Sequence, residues 1–201
     1  MRGDTLKEFQ QLKNQYITEY DNGKYTDALK TINKMKKIRP NNAEVYINTA
    51  KLYEDGFREL KKAIFYRKKA FKLDNKNYIN INKMGDVYYR LGDKKRAENM
   101  WEEGMKLKDY ICTINLGELK FYSGKYEEAI YIFENAVNLA RENIYAYYMI
   151  ARTKGEHLGK PKEAIGICEY LIEQKPNNEN MKYKMAVLKQ KSRWGCTECV
   201  A

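Results

Sequence analysis

Residues 124–136 read GKYEEAIYIFENA. A glycine opens the stretch, Ala129 follows five positions later, Phe133 lies about one helical turn beyond it, and Ala136 closes the run. Small, large and small residues at spacings of four and three share one face of an α-helix. The same layout stands in Gly23–Met35, with Ala28, Ile32 and Met35, and in Gly92–Gly104, with Ala97, Trp101 and Gly104. It extends to Ala63 with Ala70, and to Ala164 with Cys168 and Leu171. The five alanines are separated by 35, 34, 32 and 35 residues. A period near 34 that carries helical spacing predicts a repeat of helix–turn–helix units. Neither helix of such a unit can bury its apolar stripe alone, so neighbours must stack.

The helix that precedes each alanine has its own small residue, at Ala50, Gly85, Gly117 and Ala151, with Tyr53 and Tyr88 three positions after the first two. Pro40 and Pro176 close their units, each followed by two asparagines. This pattern resembles the tetratricopeptide-repeat (TPR) family over residues 9–178. The resemblance implies an all-α solenoid, a right-handed superhelix of antiparallel helix pairs. Its five units are 9–42, 43–77, 78–109, 110–143 and 144–178. Residues 1–8 are then a lead-in. Residues 179–192 are expected to form a capping helix, with Met181, Met185 and Leu188 at helical spacing, and 193–201 a flexible tail. The pattern has departures: Tyr16 stands at a small position, Arg67 at an aromatic one, and Lys120 and Lys154 replace the first-helix tyrosine.

In the TPR family the first helix of each unit lines a concave groove. Carried over unit by unit, the lining positions are Lys13, Asn14, Ile17 and Tyr20; Ile47, Asn48 and Lys51; Asn82, Lys83, Asp86, Tyr89 and Arg90; Ile111, Ile114, Asn115, Glu118, Phe121 and Tyr122; and Tyr145, Tyr148, Met149 and Arg152. The first three sets are rich in Lys, Asn and Arg. The last two are rich in Ile, Phe, Tyr and Met, and Ile111, Ile114, Phe121, Tyr122, Tyr145, Tyr148 and Met149 are expected to form one exposed apolar surface. The resemblance implies a scaffold for a protein or an extended peptide, one end polar or acidic and the other apolar. Lys13, Asn48 and Lys83 match three positions of the carboxylate clamp of some chaperone-binding TPR domains, while Ile17 and Ile79 depart from it.

The chain has 201 residues, 43% of them hydrophobic and 32% charged, with only 3 prolines, a balance that suits a helical protein with a packed core. Most of the 18 tyrosines are expected to pack between helices. No run approaches the ~18–20 apolar residues that span a bilayer, and MRGDTLKEFQ at the N-terminus lacks an apolar signal region, so a cytoplasmic protein with no membrane partner is expected. The formal net charge of +11 favours acidic partners. Lys61, Lys62, Lys94, Lys95 and Arg96, near the starts of second helices, could form a docking edge for nucleic acid or an acidic complex, which defines an alternative function as a basic adaptor. Nucleic acid is not the expected partner.

Chemistry is sparse. His157 is the only histidine, and no phosphate-binding glycine loop occurs. Catalytic residues, metals and cofactors are therefore not expected, and the chain is read as a non-enzyme. Cys112 and Cys168 fall in helical patterns as core residues. Cys196 and Cys199 form a C-x-x-C in the tail, the basis for a third reading as a thiol-active or zinc-linked protein. Oligomeric state is left open.

Overall fold

The computed structural model describes residues 2–174 together with 179, 182, 186, 187, 189 and 190. Among them are ten α-helices, one π turn and no strand. The helices are α1 (Arg2–Asp21), α2 (Tyr25–Ile38), α3 (Ala43–Lys51), α4 (Leu60–Leu73), α5 (Tyr78–Arg90), α6 (Lys94–Lys106), α7 (Tyr110–Tyr122), α8 (Tyr126–Leu139), α9 (Ile144–Glu156) and α10 (Pro161–Gln174). The π turn, Leu52–Gly56, continues α3. Helix α1 already runs through residues 2–8. The expected capping helix falls largely outside the described residues, as do Met181, Met185, Leu188, Cys196 and Cys199; the six described positions beyond 174 are helical.

The helices pack in sequential pairs, α1 with α2, α3 with α4, α5 with α6, α7 with α8 and α9 with α10. They fall into two compact units, Met1–Leu107 and Lys108–Ala201. The first unit has a core of Phe9, Leu12, Tyr16, Ala28, Ile32, Met35, Val45 and Leu52. The second is built on Ala129, Phe133, Ala136, Ala146 and Ile150. All five periodic alanines are at most 1% exposed, because a larger side chain there would part the two helices of a pair. Cys112 and Cys168 are buried thiols, and burial pushes Cys168 up to about 11. Polar residues at helix starts fix the entries. Asn42, Asn77, Asp93, Asp109 and Asn143 each accept a bond from a backbone N–H of the first turn that would otherwise lack a partner.

The turn inside each pair uses one device five times. The residue five positions before each periodic alanine is left-handed: Gly23 (φ 70°), Arg58 (φ 56°), Gly92 (φ 80°), Gly124 (φ 74°) and Gly159 (φ 63°). Only Arg58 among these carries a Cβ, and for an L-residue that conformation costs roughly 1–2 kcal/mol. Arg58→Gly removes this strain and loses some of the gain to the freer unfolded chain. It is expected to stabilise the first unit by about 0.5–1 kcal/mol. A raised melting temperature checks it; a lowered one would show that Arg58 holds the turn by its side chain.

Candidate functional site

In the first unit the expected lining residues come from α1, α3 and α5. Their charges are largely matched inside the chain. Lys13 Nζ lies 2.6 Å from Glu44, and Lys83 Nζ lies 2.9 Å from Asp86. The Tyr20 hydroxyl donates to Asp55 at 2.5 Å, and the Lys51 ammonium sits 4.3 Å from the centre of the Tyr20 ring. Burial first, then the bond to Asp55, raises the Tyr20 hydroxyl well above its ordinary range, so it stays a donor. The Tyr16 hydroxyl, raised chiefly by burial, donates to the backbone carbonyl of Asn48. Asn14, Ile17 and Tyr89 are exposed; Ile47, Asn48 and Asn82 are half-buried. This surface is therefore polar and mixed in sign. A ligand carboxylate would have to displace Glu44 from Lys13 and Asp86 from Lys83. Such exposed pairs are worth only about 0–1 kcal/mol, so the exchange is cheap and gains little.

Behind this surface lies a buried polar cluster. Arg67, on α4, is 3% exposed and Glu54, in the π turn, 8%. Arg67 donates to Glu54 through Nη2 at 2.8 Å and through Nε at 3.3 Å, and its Nη1 reaches Asn80 Oδ1 at 3.4 Å. Asn80 Nδ2 returns a bond to the Arg67 carbonyl at 3.1 Å. The other Glu54 oxygen accepts from Arg90 Nη1 at 3.0 Å. Arg90, a lining residue with a half-exposed side chain, is thus held from beneath.

In the second unit α7 and α9 supply the residues. Ile111 and Tyr122 are 50% and 68% exposed. Asn115, Glu118, Tyr145, Tyr148 and Arg152 are half-buried. The Tyr145 hydroxyl donates to Glu118, and burial together with that bond raises it above the ordinary tyrosine range. Arg152 donates to Glu156 at 3.1 Å and lies over the Phe121 ring at 4.9 Å. The expected apolar surface is smaller than the spacing suggested. Ile114, Phe121 and Met149 are 8%, 4% and 2% exposed and belong to the core around Phe133 and Ile150. Phe121 is enclosed edge-on by Tyr126, Tyr122 and His157, and His157 stacks on Tyr126 at 4.2 Å. What remains accessible is Ile111 and Tyr122, with Tyr145 and Tyr148 partly so.

A tetratricopeptide-repeat family model matches residues 114–143. A TPR repeat-containing protein of Methanocaldococcus jannaschii is 28% identical over 185 residues, which cover 90% of this chain and 31% of that protein. Residues 114–143 are therefore a tetratricopeptide repeat. Human DnaJ homolog subfamily C member 3 is 27% identical, over 86% of this chain and 38% of its own length. The chain thus spans about a third of the length of these curated relatives. A crystal structure of MamA shares the TPR fold with a TM-score of 0.71 at 20% identity, covering 86% of this chain and 94% of MamA. YrrB, described as a TPR protein with an unusual peptide-binding site, superposes with a TM-score of 0.62 at 22% identity, over 81% of this chain and 84% of its own.

The basic edge is largely neutralised: Lys62 pairs with Glu59, Lys95 with Glu98 and Arg96 with Asp93. No group of three metal-ligating side chains occurs among the described residues. No described helix is long and apolar enough to cross a membrane. The spacing argument missed Glu44, Glu54 and Asp55, the acids that pair with its own lining residues. One signal was present: a charge at the aromatic position 67 requires a buried partner, and Glu54 and Asn80 each lie thirteen residues away.

Proposed function

We propose that the chain holds extended segments of a partner protein on its first-helix surfaces, with the tyrosine surface of α7 and α9 as the principal anchor. The observation that carries this reading is the 68% exposure of Tyr122 and the 50% exposure of Ile111, three turns apart on one face of α7, a helix with eight buried residues. Tyrosines give large apolar contact with a hydroxyl left for hydrogen bonding, at low conformational cost, which is why they recur at binding hot spots. The matched charges of the first unit suit a polar or acidic segment bound weakly and reversibly.

The test is site-specific photocrosslinking. A benzoylphenylalanine at Tyr122 or Tyr148 is expected to capture the same partner segment. The same group at Tyr131, 65% exposed on α8, is the control. With that segment as a synthetic peptide, the Tyr122→Ala/Tyr148→Ala variant is expected to bind about tenfold or more weakly at unchanged helicity. Equal capture at Tyr131, or unchanged affinity of the double variant, would move the site elsewhere.

A further inference from the structure

A second set of side chains stands apart from every lining position. Lys36 on α2 and Lys69 on α4 converge on one ring: their ammonium groups lie 4.4 and 5.8 Å from the centre of Tyr66. Lys69 also lies 4.6 Å from the Phe65 ring and 5.8 Å from Tyr46. Beneath them Tyr53 stacks on Tyr66 with centres 5.4 Å apart and planes 2° from parallel, and Phe65 meets Tyr66 edge-on. Lys36 faces Asn33 on its own helix and Tyr66 and Lys69 from α4, while Tyr46 from α3 faces Lys69 and Lys62 from α4 lies over Tyr53 of the π turn. No carboxylate pairs with Lys36 or Lys69 among the described residues. Among the described residues the one polar contact of the Lys36 amine is a long bond to Asn33, 3.4 Å. Burial and then the Lys69 ammonium bring Lys36 down to about 8.

The half-buried Lys13 and the exposed Lys62 and Lys83 of this unit each have an acid beside them. Here two cations share an aromatic bed and lack a counter-charge, while Phe65 remains 52% exposed beside them. An anion between the amines would remove their repulsion and restore Lys36 to its charged form. An aromatic side chain next to that anion would cover Phe65. We propose that Lys36 and Lys69, over Tyr46, Phe65 and Tyr66, form a second docking site that takes a carboxylate and an adjacent aromatic side chain from a partner protein. Stacked nucleotide bases fit less well. They need a run of open ring faces, and Tyr66 is already covered by Tyr53 and the ammonium groups, which leaves Phe65 alone.

The experiment uses the full chain and a capped peptide with two glutamates flanking a phenylalanine, followed by NMR and calorimetry. The peptide is expected to shift the signals of Tyr46, Phe65 and Tyr66 and to raise the titration midpoint of Lys36 from about 8. Affinity is expected to fall about tenfold in Lys36→Gln/Lys69→Gln and, by loss of the aromatic contact alone, about threefold in Phe65→Ala. A peptide with glutamines in place of glutamates is expected to bind as weakly as the double variant. Equal binding of the glutamine peptide would overturn the proposal, as would unchanged affinity of the lysine double variant. Shifts confined to α1, α3 and α5 would overturn it too. Tighter binding of an oligothymidylate to these same residues would assign the site to nucleic acid instead.

Discussion

Glu54→Ala is expected to lower the stability of the first unit by about 3–5 kcal/mol, the largest effect of any single truncation considered for this chain. The reason is what it leaves behind. Arg67 is 3% exposed, and without Glu54 its only side-chain partner among the described residues is the long contact to Asn80. An uncompensated buried guanidinium is far more costly than the lost pair was favourable. Arg67→Met is expected to cost less, because Glu54 keeps Arg90 at 3.0 Å. Arg90→Ala is expected to cost least, since the Arg90 side chain is half-exposed and Glu54 then keeps Arg67. Replacing Glu54 by Leu together with Arg67 by Phe, the aromatic that the repeat pattern asks for, should recover most of the loss. Trp101 fluorescence in urea, in a Trp194→Phe background, reads the first unit. An Arg90→Ala penalty above that of Glu54→Ala would show that Arg90 carries the cluster.

That cluster also shows where sequence reading succeeds and where it stops. The periodic alanines were legible because their reason is local: a pair of helices can approach only over a small side chain, and the spacing repeats five times. The left-handed turns were legible where glycine marks them and invisible at Arg58, where the chain adopts the same φ with a residue that gives no hint of it. The position of Arg67 was readable as a departure, but its partners come from a π turn and from the next pair, and no helical spacing predicts a π turn. The binding surface was legible only in outline. Lining positions assume that each first helix uses one face for stacking and leaves another free. In α7 eight residues are buried, Ile114 and Phe121 among them, so two expected contact residues are core. Lys36 and Lys69 are ordinary surface lysines in the sequence; only the convergence of α2 and α4 on Tyr66 makes them a pair.

Gly85→Ala and Gly166→Ala, the same substitution in the middle of two helices, are expected to act in opposite directions. In a helix the added methyl ordinarily stabilises by about 1 kcal/mol, through the lower entropy of the unfolded chain. At Gly166 on α10 nothing lies within 4 Å of where the Cβ would sit, so the full gain of about 0.5–1 kcal/mol should appear. At Gly85 on α5 the Cβ would stand 2.3 Å from Trp101 Nε1 and 2.6 Å from Cδ1. Trp101 is 5% exposed on α6 and packs near Tyr89, with ring centres 5.9 Å apart. A large buried ring has no free rotamer to retreat into, so α5 and α6 must separate. Overpacking of this kind costs about 1–3 kcal/mol, enough to exceed the helical gain. The indole fluorescence of Trp101 should shift with the loss, because the ring moves. Two melting curves decide the matter. If both variants gain stability, Trp101 yields without cost, and the small residue at position 85 is not what sets the closeness of the pair.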